Sequence, residues 1–426
     1  MEYRKRIADH LLAEKLEGMG AVLIEGPKWC GKTTTAEQQA RSILYMNDTK
    51  RRHMNVQLAS MSPETLLKGD TPRLIDEWQI APSLWDSVRF ECDKRKDDGQ
   101  FILTGSSVPV ASDDEEAFSH SGTGRIARLK MRPMSLWESG DSSGVVSLKN
   151  LFEKKAVPVE TDGSDIHRLA YLVCRGGWPK AAQQKPSIAL GRAYDYFQAV
   201  TEVDISRVDN IKRDSEKAKL LMRSYARHQG AQVSLAKILS DLQTNTGETM
   251  SEKTIDSYLE ALRKIFVVED MRSWNPNLRS RTAIRNADTR YFIDSSIAVA
   301  ALGAGPDDLV ADLETFGLLF ETMAVRDLRV YADAMHGSVY HYRDKDGLEC
   351  DAVIHLRDGR YGLVEIKLGG DEHIEAGARS LLRLKNKIDT DKMNEPSFMM
   401  VLTGMSPYAL QRPDGVWVAP ITSLKD

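Results

Sequence analysis

The stretch Ala21-Val-Leu-Ile-Glu-Gly26-Pro27-Lys28-Trp29-Cys30-Gly31-Lys32-Thr33-Thr34 decides the fold of the first third of the chain. Residues 26–33 fit G-x-x-x-x-G-K-[ST] without deviation, and roughly 0.01–0.02 such matches are expected by chance in a chain of this length. The context is also right. An apolar run, 21–24, precedes the loop as a strand, and a helix-forming run, 34–42, follows it. The glycines let backbone N–H groups wrap a phosphate against a helix N-terminus. Lys32 would reach the β- and γ-phosphates of ATP, and the Thr33 hydroxyl would ligate Mg²⁺.

A phosphate loop also needs a carboxylate at the end of a neighbouring strand to organise the metal. Arg73-Leu-Ile-Asp76-Glu77-Trp supplies Asp76 for that role, with Glu77 beside it to polarise the attacking water. The run Phe101-Ile-Leu-Thr104-Gly-Ser106 ends in hydroxyls, and either Thr104 or Ser106 is placed to sense the γ-phosphate. Apolar runs at 21–24, 43–46, 74–75, 101–103 and 126–131 alternate with amphipathic stretches, the pattern of a parallel α/β sheet. A Ser/Asp/Glu-rich loop at 111–124 interrupts this region, and the polar stretch 138–149 is expected to close it.

At 426 residues the chain is long enough for two or three domains. Its net charge of −4 gives no global signature of a nucleic-acid binder. Cys30, Cys92, Cys174 and Cys350 form no C-x-x-C pair and no metal-ligand spacing, as expected of buried thiols in a reducing compartment. The charged start leads into no apolar segment, and no run approaches the ~18 apolar residues of a membrane span. A cytoplasmic protein without membrane contact is therefore expected.

Residues 151–290 are helical in period. Ser234 precedes one apolar-striped helix and Ser251 a second, and residues 267–274 read as a strand. Helix, helix, strand is the order of a winged helix-turn-helix. The second helix carries Lys253, Thr254, Arg263 and Lys264, but also Glu252, Asp256 and Glu260, so it reads either as a DNA-reading helix or as a packing lid. Arg272, Arg279, Arg281, Arg285 and Arg290 suit a phosphate backbone or a solvated loop face equally.

From about residue 290 the pattern returns to mixed α and β, with strands at 291–294, 339–343, 350–356, 361–367 and 399–403 and an amphipathic helix at 316–328. Asp351 and, across an Asp358-Gly359 turn, Glu365 and Lys367 match the carboxylates and lysine of PD-(D/E)XK nucleases. Two carboxylates on adjacent strands hold Mg²⁺ or Mn²⁺, which activates water. Alternation puts Lys367 on the face of Glu365, where it orients the nucleophile. Glu321, on the preceding helix, would add a further carboxylate. Such a loosely spaced triplet arises by chance roughly once in a chain of this length, so its strand–turn–strand setting carries the signal.

The order of the phosphate loop, Leu74-Ile-Asp-Glu-Trp-Gln79, Ile102-Leu-Thr-Gly-Ser-Ser107 and Ser121-Gly-Thr-Gly-Arg125-Ile-Ala-Arg128-Leu-Lys-Met-Arg-Pro-Met-Ser-Leu-Trp-Glu138, then Cys174-Arg-Gly-Gly-Trp-Pro179 and Phe320-Glu321, resembles a family of prokaryotic AAA-type ATPases. Members of that family carry a C-terminal domain of unknown function with a nuclease-like fold. The resemblance implies an α/β chain in three parts: an AAA+-like parallel sheet (1–140), a helical and winged-helix middle (150–290) and a restriction-endonuclease-like α/β domain (291–426). It makes Arg125 a candidate arginine finger or sensor, with Arg128 the alternative, and so implies a homo-oligomer. DNA is the partner implied for the winged helix and the C-terminal domain. The other function it leaves open is a nucleotide-dependent switch or scaffold, of toxin–antitoxin or defence type, whose nuclease-like domain is inert.

Overall fold

The computed structural model describes residues 2–106, 122–247, 250–275, 287–389 and 393–426. Arg279, Arg281, Arg285 and most of the 111–124 loop lie outside the described residues. By contacts the chain forms two compact units: Met1–Pro133 with Val203–Lys212 and Glu260–Phe266, and Met134–Glu202 with Arg213–Leu259 and Val267–Asp426. The three-part division at 1–140, 150–290 and 291–426 is not reproduced by these units. The polar stretch 138–149 belongs inside the second unit, because Val146–Ser147 pairs with Leu424–Lys425 there.

The first unit is built on five strands: β1 (Ala21–Glu25), β2 (Ser42–Tyr45), β3 (Arg73–Asp76), β4 (Phe101–Gly105) and β5 (Ile126–Lys130). They lie parallel in the order β2-β3-β4-β1-β5. β1 and β4 are central, so nearly every residue in them is apolar and buried on both faces. Ala21, Leu23, Phe101 and Leu103 face one core, and Val22, Ile24 and Ile102 face the other. The helix expected over 34–42 is shorter, Lys32–Glu37. The Arg41 N–H donates to Pro72 O at 2.8 Å, which turns the chain into β2.

The second unit holds a pair, β6 (Val146–Ser147) with β14 (Leu424–Lys425), and a seven-stranded sheet. The sheet contains β7 (Val159–Glu160), β8 (Gly337–Arg343), β9 (Glu349–Leu356), β10 (Tyr361–Lys367), β11 (Phe398–Thr403), β12 (Tyr408–Gln411) and β13 (Trp417–Pro420), in the order β7-β12-β13-β11-β10-β9-β8. β8, β9 and β10 form an antiparallel meander, and β10 runs parallel to β11. The amphipathic helix expected at 316–328 is instead Leu313–Ala334, buried at every position from Thr322 to Ala332. Arg326, inside that run, is matched by Asp294 and Asp327 at 2.8 and 2.6 Å.

The two helices expected before the wing are Leu235–Thr246 and Glu252–Lys264. Ser234 caps the first and the Ser251 hydroxyl accepts from Thr254 N–H at the start of the second. The strands expected at 267–274 and 291–294 are not continuous. Isolated antiparallel bridges join Val268 to Phe292 and Met271 to Thr289, and Ser273 pairs with His341. Asp294, still extended at φ −152° and ψ 138°, caps the Ser295–Leu302 helix by accepting the Ser296 N–H. Among the described residues no helix is long and apolar enough to cross a membrane.

Candidate functional site

In a parallel sheet whose crossovers leave on opposite sides, ligands bind outside the carboxyl ends of the strands at the switch point. Here that point lies between β1 and β4. β1 ends at Glu25, and Gly26 turns the chain with φ +156°; a Cβ there would lie 2.1 Å from Met131 O. Only glycine fits. Gly31, at φ 101° and ψ 15°, is the N-cap of the Lys32–Glu37 helix and also needs the left-handed region. The loop is pinned from behind by buried Arg6, whose guanidinium donates to Cys30 O and Arg132 O, both at 2.9 Å. Pro27 and Cys30 are buried, while Lys28, Trp29 and Thr34 are exposed.

Lys32 is buried and donates to Gly26 O at 2.9 Å and Pro27 O at 2.7 Å. Its ammonium is thus satisfied by the loop's own carbonyls, as a buried cation requires. Asp76 ends β3, and Thr104 stands opposite it on β4, in register also with Ile24 of β1. Thr33 and Thr104 each donate a hydroxyl to Asp76 Oδ1 at 2.7 Å. Of the two candidate hydroxyls, Thr104 on β4 and Ser106 just beyond it, Thr104 makes this bond. A carboxylate sharing a hydroxyl at a phosphate loop is a donor set that suits Mg²⁺, which takes one or two protein oxygens and completes its shell with phosphates and water.

Glu77 follows in the left-handed region at φ 57°. Its N–H donates to Thr104 Oγ1 at 3.4 Å, and its carboxylate accepts from the Gln79 amide. Burial, and then the charge of Asp76, raises its pKa above the usual glutamate range, with Lys32 opposing.

The two candidate arginines separate. Arg125 O accepts from Ala21 N at 3.0 Å, so Arg125 stands at the amino end of the sheet, about 16 Å along β1 from the start of the phosphate loop. Its exposed side chain donates to Asp93 Oδ1 at 2.7 Å. Arg128 donates to Glu25 Oε2 at 2.9 Å. Neither touches Asp76, Glu77 or Lys32 among the described hydrogen bonds.

In the second unit the β9–β10 ladder stops at Ala352–Val364. Asp351 then accepts the next N–H, that of Ile366, at 2.7 Å. Lys367 Nζ lies 3.0 Å from the same Asp351 oxygen and 2.7 Å from Glu365 Oε2. Gly377, on the Asp371–Lys387 helix, allows that helix close over Glu365, where an added Cβ would be 3.3 Å from the Glu365 Cβ. Burial and the Asp351 charge push Glu365 up to about 8. Glu321 is partly buried, accepts from Tyr291 OH at 2.5 Å, and is likewise raised to about 8 by desolvation and then by Asp351. Among the described residues no three His, Cys, Asp or Glu side chains gather as a metal site. The ammonium of Lys367 stands between Asp351 and Glu365 instead.

Sequence reasoning missed Arg6, Tyr291 and Asp204, whose carboxylate holds Lys28 at 2.6 Å. Each arrives from a distant element, and no local pattern marks it.

Residues 19–139 match the AAA domain family. That match spans the phosphate loop and all five strands of the parallel sheet. After the AAA domain, residues 166–308 match one domain of unknown function (DUF8612) and residues 316–424 another (DUF4143). None of the curated proteins matches the chain. Among solved structures, the chain is similar to a Walker-type ATPase of Pyrococcus abyssi, at 14% identity over 69% of this chain and 94% of that one, with a TM-score of 0.39. It is also similar to the ORC1 protein of Aeropyrum pernix, solved in complex with DNA, at 15% identity over 73% and 95% with a TM-score of 0.26. A third is RuvB of Thermotoga maritima, at 18% identity over 62% and 88% with a TM-score of 0.23.

Proposed function

We propose that the protein binds ATP with Mg²⁺ at the phosphate loop and hydrolyses it, and that this activity is coupled to a nuclease-like C-terminal domain that binds or cleaves DNA. The observation that carries the first half is the Thr33–Asp76–Thr104 arrangement beside an inward-folded Lys32. Lys32 exchanges the Gly26 and Pro27 carbonyls for the β- and γ-phosphates. Thr33 and Asp76 hold Mg²⁺, which neutralises phosphate charge when bound. Glu77 orients the attacking water and acts as its general base, with its pKa held above the ordinary glutamate range by burial and the Asp76 charge. In Lys32→Ala, phosphate release from ATP should fall to background, because the phosphate charge loses its counter-ion, an effect of several kcal/mol in the transition state. Undiminished turnover in that variant would sink the reading.

The second half draws support from Asp351, Glu365 and Lys367 at the end of the β9–β10 ladder. Asp351 and Glu365 would hold Mg²⁺ or Mn²⁺ once Lys367 swings aside, with Glu321 behind them. The two capped helices and the bridged residues after them support a winged helix that docks on DNA through Lys253, Thr254, Arg263 and Lys264. One observation favours the other reading, a nucleotide-dependent switch or scaffold with an inert nuclease-like domain. The Lys367 ammonium already pairs with both Asp351 and Glu365, at the place a metal ion would take. Plasmid incubated with Mg²⁺ or Mn²⁺ separates the two. Nicking by the wild type that Asp351→Ala and Lys367→Ala both lose supports the nuclease. Intact plasmid throughout, with ATP hydrolysis retained, supports the switch.

A further inference from the structure

The phosphate loop carries two lysines, and they are held differently. Lys32 is buried on the loop's own carbonyls, whereas Lys28 has a side chain 45% exposed and its Nζ 2.6 Å from Asp204 Oδ1. Asp204 belongs to the Val203–Lys212 segment, which packs into the same compact unit as the loop. Its carboxylate is only 10% exposed. It closes a π-helical turn, Val200–Asp204, set between the Pro186–Ala199 helix and Ile205–Arg207. Such wide turns are rare and interrupt the regular register of a helix.

A triphosphate in the loop would change both partners. Its negative tail attracts the Lys28 ammonium and repels the Asp204 carboxylate at close range. Once Lys28 turns to the phosphates, Asp204 is left nearly buried without that counter-charge, an arrangement that strongly favours moving the carboxylate out to water. An Asp side chain is short, so drawing its carboxylate out to water pulls on the backbone, and the register defect at 200–204 is where that backbone can give.

We propose that Lys28 and Asp204 form a nucleotide-sensitive latch: the ion pair holds segment 203–212 against the phosphate loop in the nucleotide-free protein, and triphosphate binding takes Lys28 for itself and releases the segment. This rests on the nucleotide reading above. Asp204 then acts as a positioning residue that opposes nucleotide binding, and Lys28 is a second phosphate-binding ammonium held in reserve.

The test uses the full-length protein and a slowly hydrolysed ATP analogue with Mg²⁺. In the wild type, backbone hydrogen exchange over 200–212 should speed up on adding the analogue; exchange that is unchanged or slower overturns the latch. By calorimetry, Asp204→Asn should bind the analogue roughly three- to tenfold more tightly than wild type. The same change made on Lys28→Met should have no such effect. Equal affinity of wild type and Asp204→Asn overturns the latch alone. Absence of binding by the wild type and both variants overturns the nucleotide reading with it.

Discussion

Glu77 owes its character to two neighbours and a turn. Its backbone takes a left-handed conformation directly after Asp76, which brings a second carboxylate into a half-closed site beside the first. Burial and the Asp76 charge keep its pKa above the ordinary range. If Glu77 is the base, hydrolysis needs its ionised form, so the rate should fall with acidification at a higher pH than an ordinary glutamate would give. Glu77→Gln should lower turnover by about 10²- to 10⁴-fold and remove that acid limb while nucleotide affinity holds. A variant that keeps the same limb would show that another group titrates. That Lys32, Thr33 and Asp76 come together was legible from the sequence, because a phosphate loop and a strand-end carboxylate are written as short local strings. Arg6 and Asp204 were not, since a residue that pins or latches the loop from elsewhere in the fold needs only reach and charge.

The Leu313–Ala334 helix shows what periodicity misses. Arg326, Asp327 and Arg329 break the apolar stripe, and a surface helix is the natural reading of charges at those positions. The helix is instead buried all round at its centre, because its charges are matched internally. Asp327 Oδ1 takes two bonds from Arg326, and Oδ2 accepts the Leu136 N–H at 2.9 Å. Asp327→Ala should therefore cost about 3–5 kcal/mol in a denaturant titration, since it leaves a buried guanidinium half-paired and a buried N–H without its acceptor. A loss under about 1 kcal/mol, the size of an exposed pair, would mean the network is wet. Glu321, on the same helix, gives a pH-dependent counterpart. Its carboxyl is raised from 4.5 to about 8, so the folded protein keeps a proton that the unfolded chain releases. Stability from this group is full at low pH and declines as pH rises from about 4.5 to about 8. Glu321→Gln keeps an acceptor for Tyr291 and carries no charge. It should match the wild type near pH 5 and exceed it by about 1 kcal/mol or more at pH 9. Identical melting curves at both pH values would remove the shift.

At the scale of the chain, the parallel sheet and the AAA domain were legible because buried parallel strands read as short apolar runs with the phosphate loop at the end of the first. The compact units were harder to see, since segments 203–212 and 260–266 join the first unit from far along the sequence and nothing local announces a chain that returns. The same scale decides what Arg125 can do. It stands at the amino end of a sheet whose phosphate loop is at the carboxyl end, about 16 Å away along β1, and Asp93 holds it there. It therefore has no path to the nucleotide of its own subunit. If Arg125 is the arginine finger, it serves a neighbouring copy, and hydrolysis depends on assembly. Specific activity should then rise with protein concentration, and Arg125→Ala should lose about 10³-fold or more in turnover while binding ATP normally. Mixing Arg125→Ala with Lys32→Ala decides the matter, because the first supplies an intact phosphate loop and the second an intact finger. Recovery of hydrolysis in the mixture, from two variants inactive alone, is the expected result. Turnover by Arg125→Ala equal to wild type at every concentration would take the arginine out of catalysis and leave its bond to Asp93 as a surface pair.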